Sequence, residues 1–299
     1  MAGDTMTHLV ERHDLPLNPR PAHSRTVTVI RPPSFSMGTV VSGVATLFRH
    51  RDLLYTLTVF RLTVRYKQSI LGWIWAALQP LAMMLTYTLV FSRVVHVSTG
   101  REPYALFVFS ALLPWTFFSG AVSNAINGLV SYSDVLTKLH FPREIIPLSY
   151  VLAALVDFAI ACGILSSLML YYHTPLNWTA FYAIPIVAIL IGFTSAVALF
   201  LSSVQVRFRD VGAALPLALQ IGVFVTPVVY PLNAVPARFQ TLYLLNPVAS
   251  LVENFRRVVL RGSAPAGSML LVSGVITAGC LALAYAYFKA NDPNMSDVI

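Results

Sequence analysis

Charge is scarce in this chain. Asp, Glu, Lys and Arg make up 11% of its 299 residues, against 57% hydrophobic ones, where a soluble domain carries about 25% charged residues. That shortage excludes an ordinary soluble protein. It also excludes the nucleic-acid partner that a formal net charge of +8 would otherwise invite, because the basic residues flank apolar runs, where they meet anionic headgroups or set topology. Cysteine is equally sparse. Cys162 and Cys280 lie inside apolar runs with no CxxC pair, so neither a disulfide nor a metal site is expected and both read as buried thiols. Residues 1–48 hold no apolar core of secretory-signal length; they read as an irregular cytoplasmic tail in which Thr26 to Ile30 could add a short strand. No GxxxxGK[ST] phosphate loop occurs, and no His, Asp, Glu or Cys constellation marks a catalytic centre.

What the chain has in abundance is long apolar runs. Six stretches are long enough for the roughly 20 residues that cross a bilayer, at about 70–91, 104–129, 145–172, 178–201, 211–230 and 268–288. The expected fold is therefore an all-α polytopic membrane protein with six transmembrane helices. Lys and Arg are retained on the cytoplasmic side, and residues 1–69, the loops 130–144 and 202–210 and Lys289 hold fourteen of the twenty. Both termini, including a tail at 290–299, are thus expected in the cytoplasm.

One long segment fits no span. Residues 231–262 are too apolar for a solvated loop and too interrupted to cross. Asn246 followed by Pro247 reads as an N-cap and first-turn proline, so a helix near Pro236 to Leu245 should be followed by a second. Val248, Leu251, Val252, Phe255 and Val259 share one face of that second helix, with Glu253, Arg256 and Arg257 away from it. Two short re-entrant helices on the outer side are expected; an amphipathic hairpin on the outer leaflet is the alternative.

Residues 49–69 carry apolar stripes on two sides of a helix, Leu53, Leu57, Phe60 and Val64 on one and Tyr55, Val59, Leu62 and Tyr66 on the other. Arg51, Thr58, Arg61 and Arg65 lie between them. An amphipathic interface helix is expected, with Gly72 and Pro80 permitting a bend as the chain enters the first span.

The blocks HRDLLYTL, VRYKQSILGWIWAALQPL, PREIIPLSYVLAALVDF, VRFRDVGAALPLALQ, FVTPVVYPLNAVP and LLNPVASLVENFRRVVL follow in order across residues 50–262. Together they resemble the membrane subunit of ABC-2 type polysaccharide exporters, the group that moves O-antigen, capsular and teichoic-acid polymers. The resemblance implies a bacterial inner-membrane homodimer of a transmembrane domain, residues 70–289 here, around a central channel. Two separate ABC ATPase subunits would lie beneath, with ATP and magnesium on them and no cofactor on this chain. The chain itself would be a transport subunit and not an enzyme.

The loop at 131–144 matches the family's coupling helix. There Asp134, Lys138, His140 and Arg143 would dock an ATPase while Val135, Leu136, Leu139 and Phe141 offer apolar contact; an ordinary turn at the headgroups would need neither the length nor those apolar residues. Sugars present hydroxyl edges and apolar C–H faces, so a glycan channel can use aromatic rings as sliding surfaces. Trp73, Trp75, Tyr87, Phe91, Trp115, Phe117, Phe118 and Tyr230 form that candidate set, against ordinary packing and interfacial belts for each one singly. The family's cargo is a lipid-linked polysaccharide, and Arg49, Arg51, Arg61, Arg65 and Lys67 could attract its diphosphate headgroup; anionic membrane lipids would satisfy the same side chains.

Other readings are an ABC-2 exporter of small hydrophobic compounds and a membrane enzyme acting on lipid-linked sugars. The second wants paired acidic residues, whereas Glu102 and Glu253 are well separated in the sequence. Asp157, in the third span, is either a proton relay or a structural group bonded to neighbours such as Asn124 or Asn127. With no charged companion in its span, the structural or subunit-contact role is expected.

Overall fold

The computed structural model describes residues 48–67, 72–96, 102–132 and 141–298, and every regular element among them is helical. Helix α1 spans Arg51–Lys67. Gly72 then takes the left-handed conformation (φ 48) that a side chain would resist, and α2 begins, Ile74–Tyr87 with a π-helical continuation Thr88–Val94. There follow α3, Tyr104–Ile126, a short α4, Gly128–Ser131, and α5, Ile145–Tyr171. A 3-10 turn, Trp178–Tyr182, leads into α6, Ala183–Arg207. The remainder is α7, Asp210–Val225, α8, Ala237–Leu245, α9, Pro247–Val259, and α10, Gly267–Val298.

Five helices are long and apolar enough to cross a membrane, Ile74–Val94, Tyr104–Ile126, Ile145–Tyr171, Trp178–Arg207 and Gly267–Asp292. Helix α7, where a span at 211–230 was expected, has 16 residues, about 24 Å at 1.5 Å per residue and short of the roughly 30 Å hydrocarbon core. Its end has a local cause. Thr226 precedes Pro227, whose ring disfavours helical geometry in the residue before it, and Thr226 sits at φ -90, ψ 136. The second span likewise stops at Ile126, while the fourth and last run beyond residues 201 and 288.

Helix α3 is the centre of the bundle, with 83% of its most apolar window buried against 6% for α2. It packs on α5, α6 and α9. The Asn246–Pro247 start of α9 forms as its sequence requires: the Asn246 side chain accepts from the backbone N–H groups of Val248 (3.1 Å) and Ala249 (3.4 Å). Helix α9 is enclosed by α3, α6 and α10, so Glu253 and Arg256, expected away from its apolar face, are buried too.

Arg256 has no exposed surface. Its Nη1 donates to Glu253 Oε2 (2.8 Å), its Nη2 to the carbonyls of Pro227 (2.9 Å) and Val228 (3.1 Å), and its guanidinium lies 3.8 Å from the Phe107 ring centre. Tyr104 donates to the next carbonyl, Val229, at 2.6 Å. Arg261 bridges Glu253 (2.8 Å) and Glu102 (2.9 Å), so the two acids far apart in sequence share one cation. Removing the Arg256 guanidinium would orphan two carbonyls and half-strip a buried carboxylate. Arg256→Met should therefore destabilise the fold by about 3–5 kcal/mol, read as a lowered midpoint of thermal unfolding in detergent; an unchanged midpoint would refute that role.

Candidate functional site

The side of α1 that turns inward combines Thr58 and Arg61 of the polar face with Leu62 and Tyr66 of one apolar stripe. Thr58, Arg61, Leu62 and Tyr66 are buried, with Leu62 and Tyr66 against Ala153 of α5, while Phe60 and Val64 are exposed. Arg61, expected at lipid headgroups, instead donates from Nε to Ser149 Oγ at 2.6 Å, and its guanidinium stands 3.3 Å from the Tyr150 ring centre and 5.1 Å from that of Tyr132. Burial pulls its pKa below the ordinary value, and the two tyrosines oppose that shift. The hydroxyl and rings replace the water that a buried cation loses.

One turn on, Arg65 Nη1 donates to Asp157 Oδ2 at 2.6 Å and the Tyr66 hydroxyl to Oδ1 at 2.7 Å. Asp157 thus has a basic companion after all, supplied by another helix. Asn124 and Asn127, the expected neighbours, are engaged elsewhere, Asn124 donating to the Gly120 carbonyl and Asn127 accepting from Gln205. Burial, reinforced by Asp157, pushes the Tyr66 hydroxyl up to about 12, so it remains a donor at neutral pH. The ion pair is partly open, its side chains 37% and 24% exposed, and adds about 1 kcal/mol or less to stability. Arg49, Arg51 and Lys67 stay exposed.

Around this pair α1, α2, α3 and α5 leave a cleft of about 410 Å³, bounded by Arg65, Asp157, Trp75, Gln79, Phe117 and Asn124 among others. It gathers three residues expected to serve headgroup or channel, Arg65, Trp75 and Phe117, with Asp157. Gln79 and Asn124 were missed as site residues, although a polar side chain inside an apolar span is the signal that could have found them.

The other aromatics do not converge there. Trp73 is exposed and stacks on Tyr66 at 4.4 Å between ring centres. Tyr87 and Phe91 pack edge to face at 6.2 Å. Trp115 and Phe118, expected at a channel wall, are core residues in the single chain, as is most of Phe117; Phe118 stacks on Phe193, and a Cβ on Gly222 would come within 2.7 Å of the Trp115 ring. Tyr230 is half-buried, bonded through its hydroxyl to the Phe224 carbonyl and to Tyr243, each at 2.6 Å.

Of the residues expected to meet an ATPase, Asp134, Val135, Leu136, Lys138, Leu139 and His140 lie outside the described residues. Phe141 packs inward against the cluster of Leu129, Ile146, Val206 and Phe288. Arg143 pairs with the Asp292 carboxylate at 3.2 Å. Lys289 reaches the fully buried Glu144 at 2.8 Å and Asp292 at 3.6 Å. Phe141 and Arg143 therefore join the start of α5 to the end of α10.

Residues 52–260 match the family described as ABC-2 type transporter. The chain is 29% identical over 255 residues to the O-antigen export system permease protein RfbA of Myxococcus xanthus, covering 85% of this chain and 97% of that protein. It is 30% identical over 215 residues to the protein of that name from Klebsiella pneumoniae (71% and 82% covered). The polysialic acid transport protein KpsM of Escherichia coli is 24% identical over 236 residues (77% and 90%).

Arg61 bolts α1 to α5, and its loss should show locally. Arg61→Leu forfeits a desolvated cation–π contact of about 2 kcal/mol, so amide hydrogen exchange across α1 should quicken roughly 30-fold. Arg51→Gln, at an exposed position, should leave it unchanged. Equal exchange in both variants would show that α1 is held without Arg61, by its apolar contacts and by the Arg65 and Tyr66 bonds to Asp157.

Proposed function

Because the chain belongs to the ABC-2 type transporter family, we propose that it is the membrane subunit of an ATP-driven exporter of a lipid-linked polysaccharide. One observation carries this reading: relatives named for chemically different polymers, O-antigen and polysialic acid, align over 71% or more of this chain. Polymer transport is what those names share, and the O-antigen relatives are named for export. The chain is a transport subunit and not an enzyme, and ATP hydrolysis falls to a separate ABC ATPase subunit.

The finer architecture follows from physical arguments. Helix α7 and the buried segment after it form a sixth crossing, and α8 and α9 form a re-entrant pair, for which the enclosure of α9 by three membrane-length helices is the support. The Lys and Arg asymmetry puts both termini and the 131–144 loop in the cytoplasm. There residues 1–48 and 290–299 are tails and α1 is the interface helix of the 70–289 transmembrane domain.

A homodimer fits the single chain's uncovered apolar faces: α2 is barely buried, and Leu217, Ile221, Phe224 and Val225 of α7 are exposed. With two ATPase subunits below, the 131–144 loop transmits their movement. Exposed Arg49, Arg51 and Lys67 attract the diphosphate of the carrier lipid. Exposed Trp73 and Trp75, with Tyr230, give the glycan surfaces on which to slide.

The decisive experiment reconstitutes the chain with its ATPase in proteoliposomes and follows lipid-linked polysaccharide across the bilayer. ATP-dependent transfer is expected, and transfer of small hydrophobic compounds without any of polymer would overturn the assignment. In the same system, replacing Leu136 and Leu139 together by Asp should abolish transfer and loosen the ATPase from the membrane. Undiminished transfer would remove the loop from coupling.

A further inference from the structure

We propose that the cleft between α1, α2, α3 and α5 is a sugar-recognition site, holding a pyranose ring next to the carrier lipid and not the anionic headgroup itself. The inference rests on the polysaccharide-export reading and refines it.

Charge is the first reason. Among the described residues lining the cleft the charged ones are Arg65 and Asp157, and they neutralise each other at 2.6 Å. A diphosphate needs surplus positive charge, and the exposed cations of α1, Arg49, Arg51 and Lys67, do not line this cleft. A neutral polyol needs something else, namely donors and acceptors side by side. A carboxylate has about four acceptor positions, and the Asp157 carboxylate uses one on Arg65 and one on Tyr66. The Asn124 amide spends one N–H on the Gly120 carbonyl, which leaves its other N–H and its oxygen, and Gln79 brings a second amide to the same cleft. Carboxylate, guanidinium and amides in one wall can meet the hydroxyls around a sugar ring.

The second reason is shape. Trp75, 48% exposed, lines the cleft and presents an aromatic surface suited to the C–H face of a pyranose. The volume, about 410 Å³, falls within the roughly 300–1,000 Å³ of small-molecule sites.

Gly120 supplies the third reason. Glycine inside a helix costs about 1 kcal/mol relative to alanine and is usually repaid where another element approaches closely. Here a Cβ would meet nothing within 4 Å, so no packing contact demands the glycine. Its missing side chain keeps the cleft open.

The test uses the assembled two-component transporter in nanodiscs with two probes, a polyprenyl diphosphate and the same lipid carrying a single hexose. Wild type should bind the hexose-bearing probe at least tenfold more tightly. Asn124→Ala and Gln79→Ala should erase that preference and leave affinity for the bare diphosphate within twofold. Gly120→Val, which adds bulk at a position where a Cβ has nothing within 4 Å, should do the same, and an unchanged thermal midpoint would show that its fold is intact. Equal affinity of wild type for both probes, or variants that weaken both equally, would overturn the sugar site. Binding of neither probe would instead sink the lipid-linked cargo reading, and the inference with it.

Discussion

A guanidinium without exposed surface sets the terms for much of this protein. Within lipid an unsatisfied backbone group costs several kcal/mol, so the chain can leave helical geometry only where donors are waiting. After Val225 it does leave, because Pro227 compels it. Arg256 meets the carbonyls of Pro227 and Val228, and Tyr104 meets that of Val229. Those bonds require α9 to stand beside α3, and they allow α7 to be short. Arg256 in turn needs Glu253, which needs Arg261, which reaches Glu102. Such buried pairs contribute little net stability but are costly to break, so they define one arrangement sharply.

The same rule operates at α1, with a different outcome. Arg61 is enclosed between Ser149, Tyr150 and Tyr132, and its role is attachment. Arg65 and Asp157, one turn further along, are joined as tightly but open onto a cleft. A closed polar group fixes structure, whereas a polar group left with spare valence beside an open volume can receive a ligand. Arg61 also joins the end of α4 to α5, since Tyr132 follows α4 and Ser149 lies on α5, which carries Asp157.

Much of the fold was legible from hydropathy and from punctuation. Asn246 and Pro247 announced the start of α9, and Gly72 announced the irregular approach to α2, because each acts through its own backbone or its immediate neighbours. The hydropathy run at 211–230 continues past the end of α7 through Thr226 to Tyr230, and apolar character does not reveal that Pro227 ends the helix. The candidate site was legible in fragments. Arg65 reads as a headgroup residue, Trp75 and Phe117 as channel aromatics and Asp157 as an isolated acid, while nothing in the pattern beyond its polarity marks Gln79. The stripes of α1 are legible in its sequence, but which side faces protein depends on Ser149, Tyr150 and Asp157, roughly 90 residues away in the chain.

Local composition therefore determined that the chain is helical, membrane-spanning and interrupted near residue 246, since periodicity, capping and apolar length act over a few turns. The blocks between residues 50 and 262 carried the family resemblance. Only the tertiary structure decided which charges are neutralised, which aromatics are packed away and where a polar cleft remains. Those outcomes depend on pairs such as Arg65 with Asp157 and Glu102 with Arg261, 92 and 159 positions apart, and a pair at that distance leaves no periodic mark on the sequence of either partner.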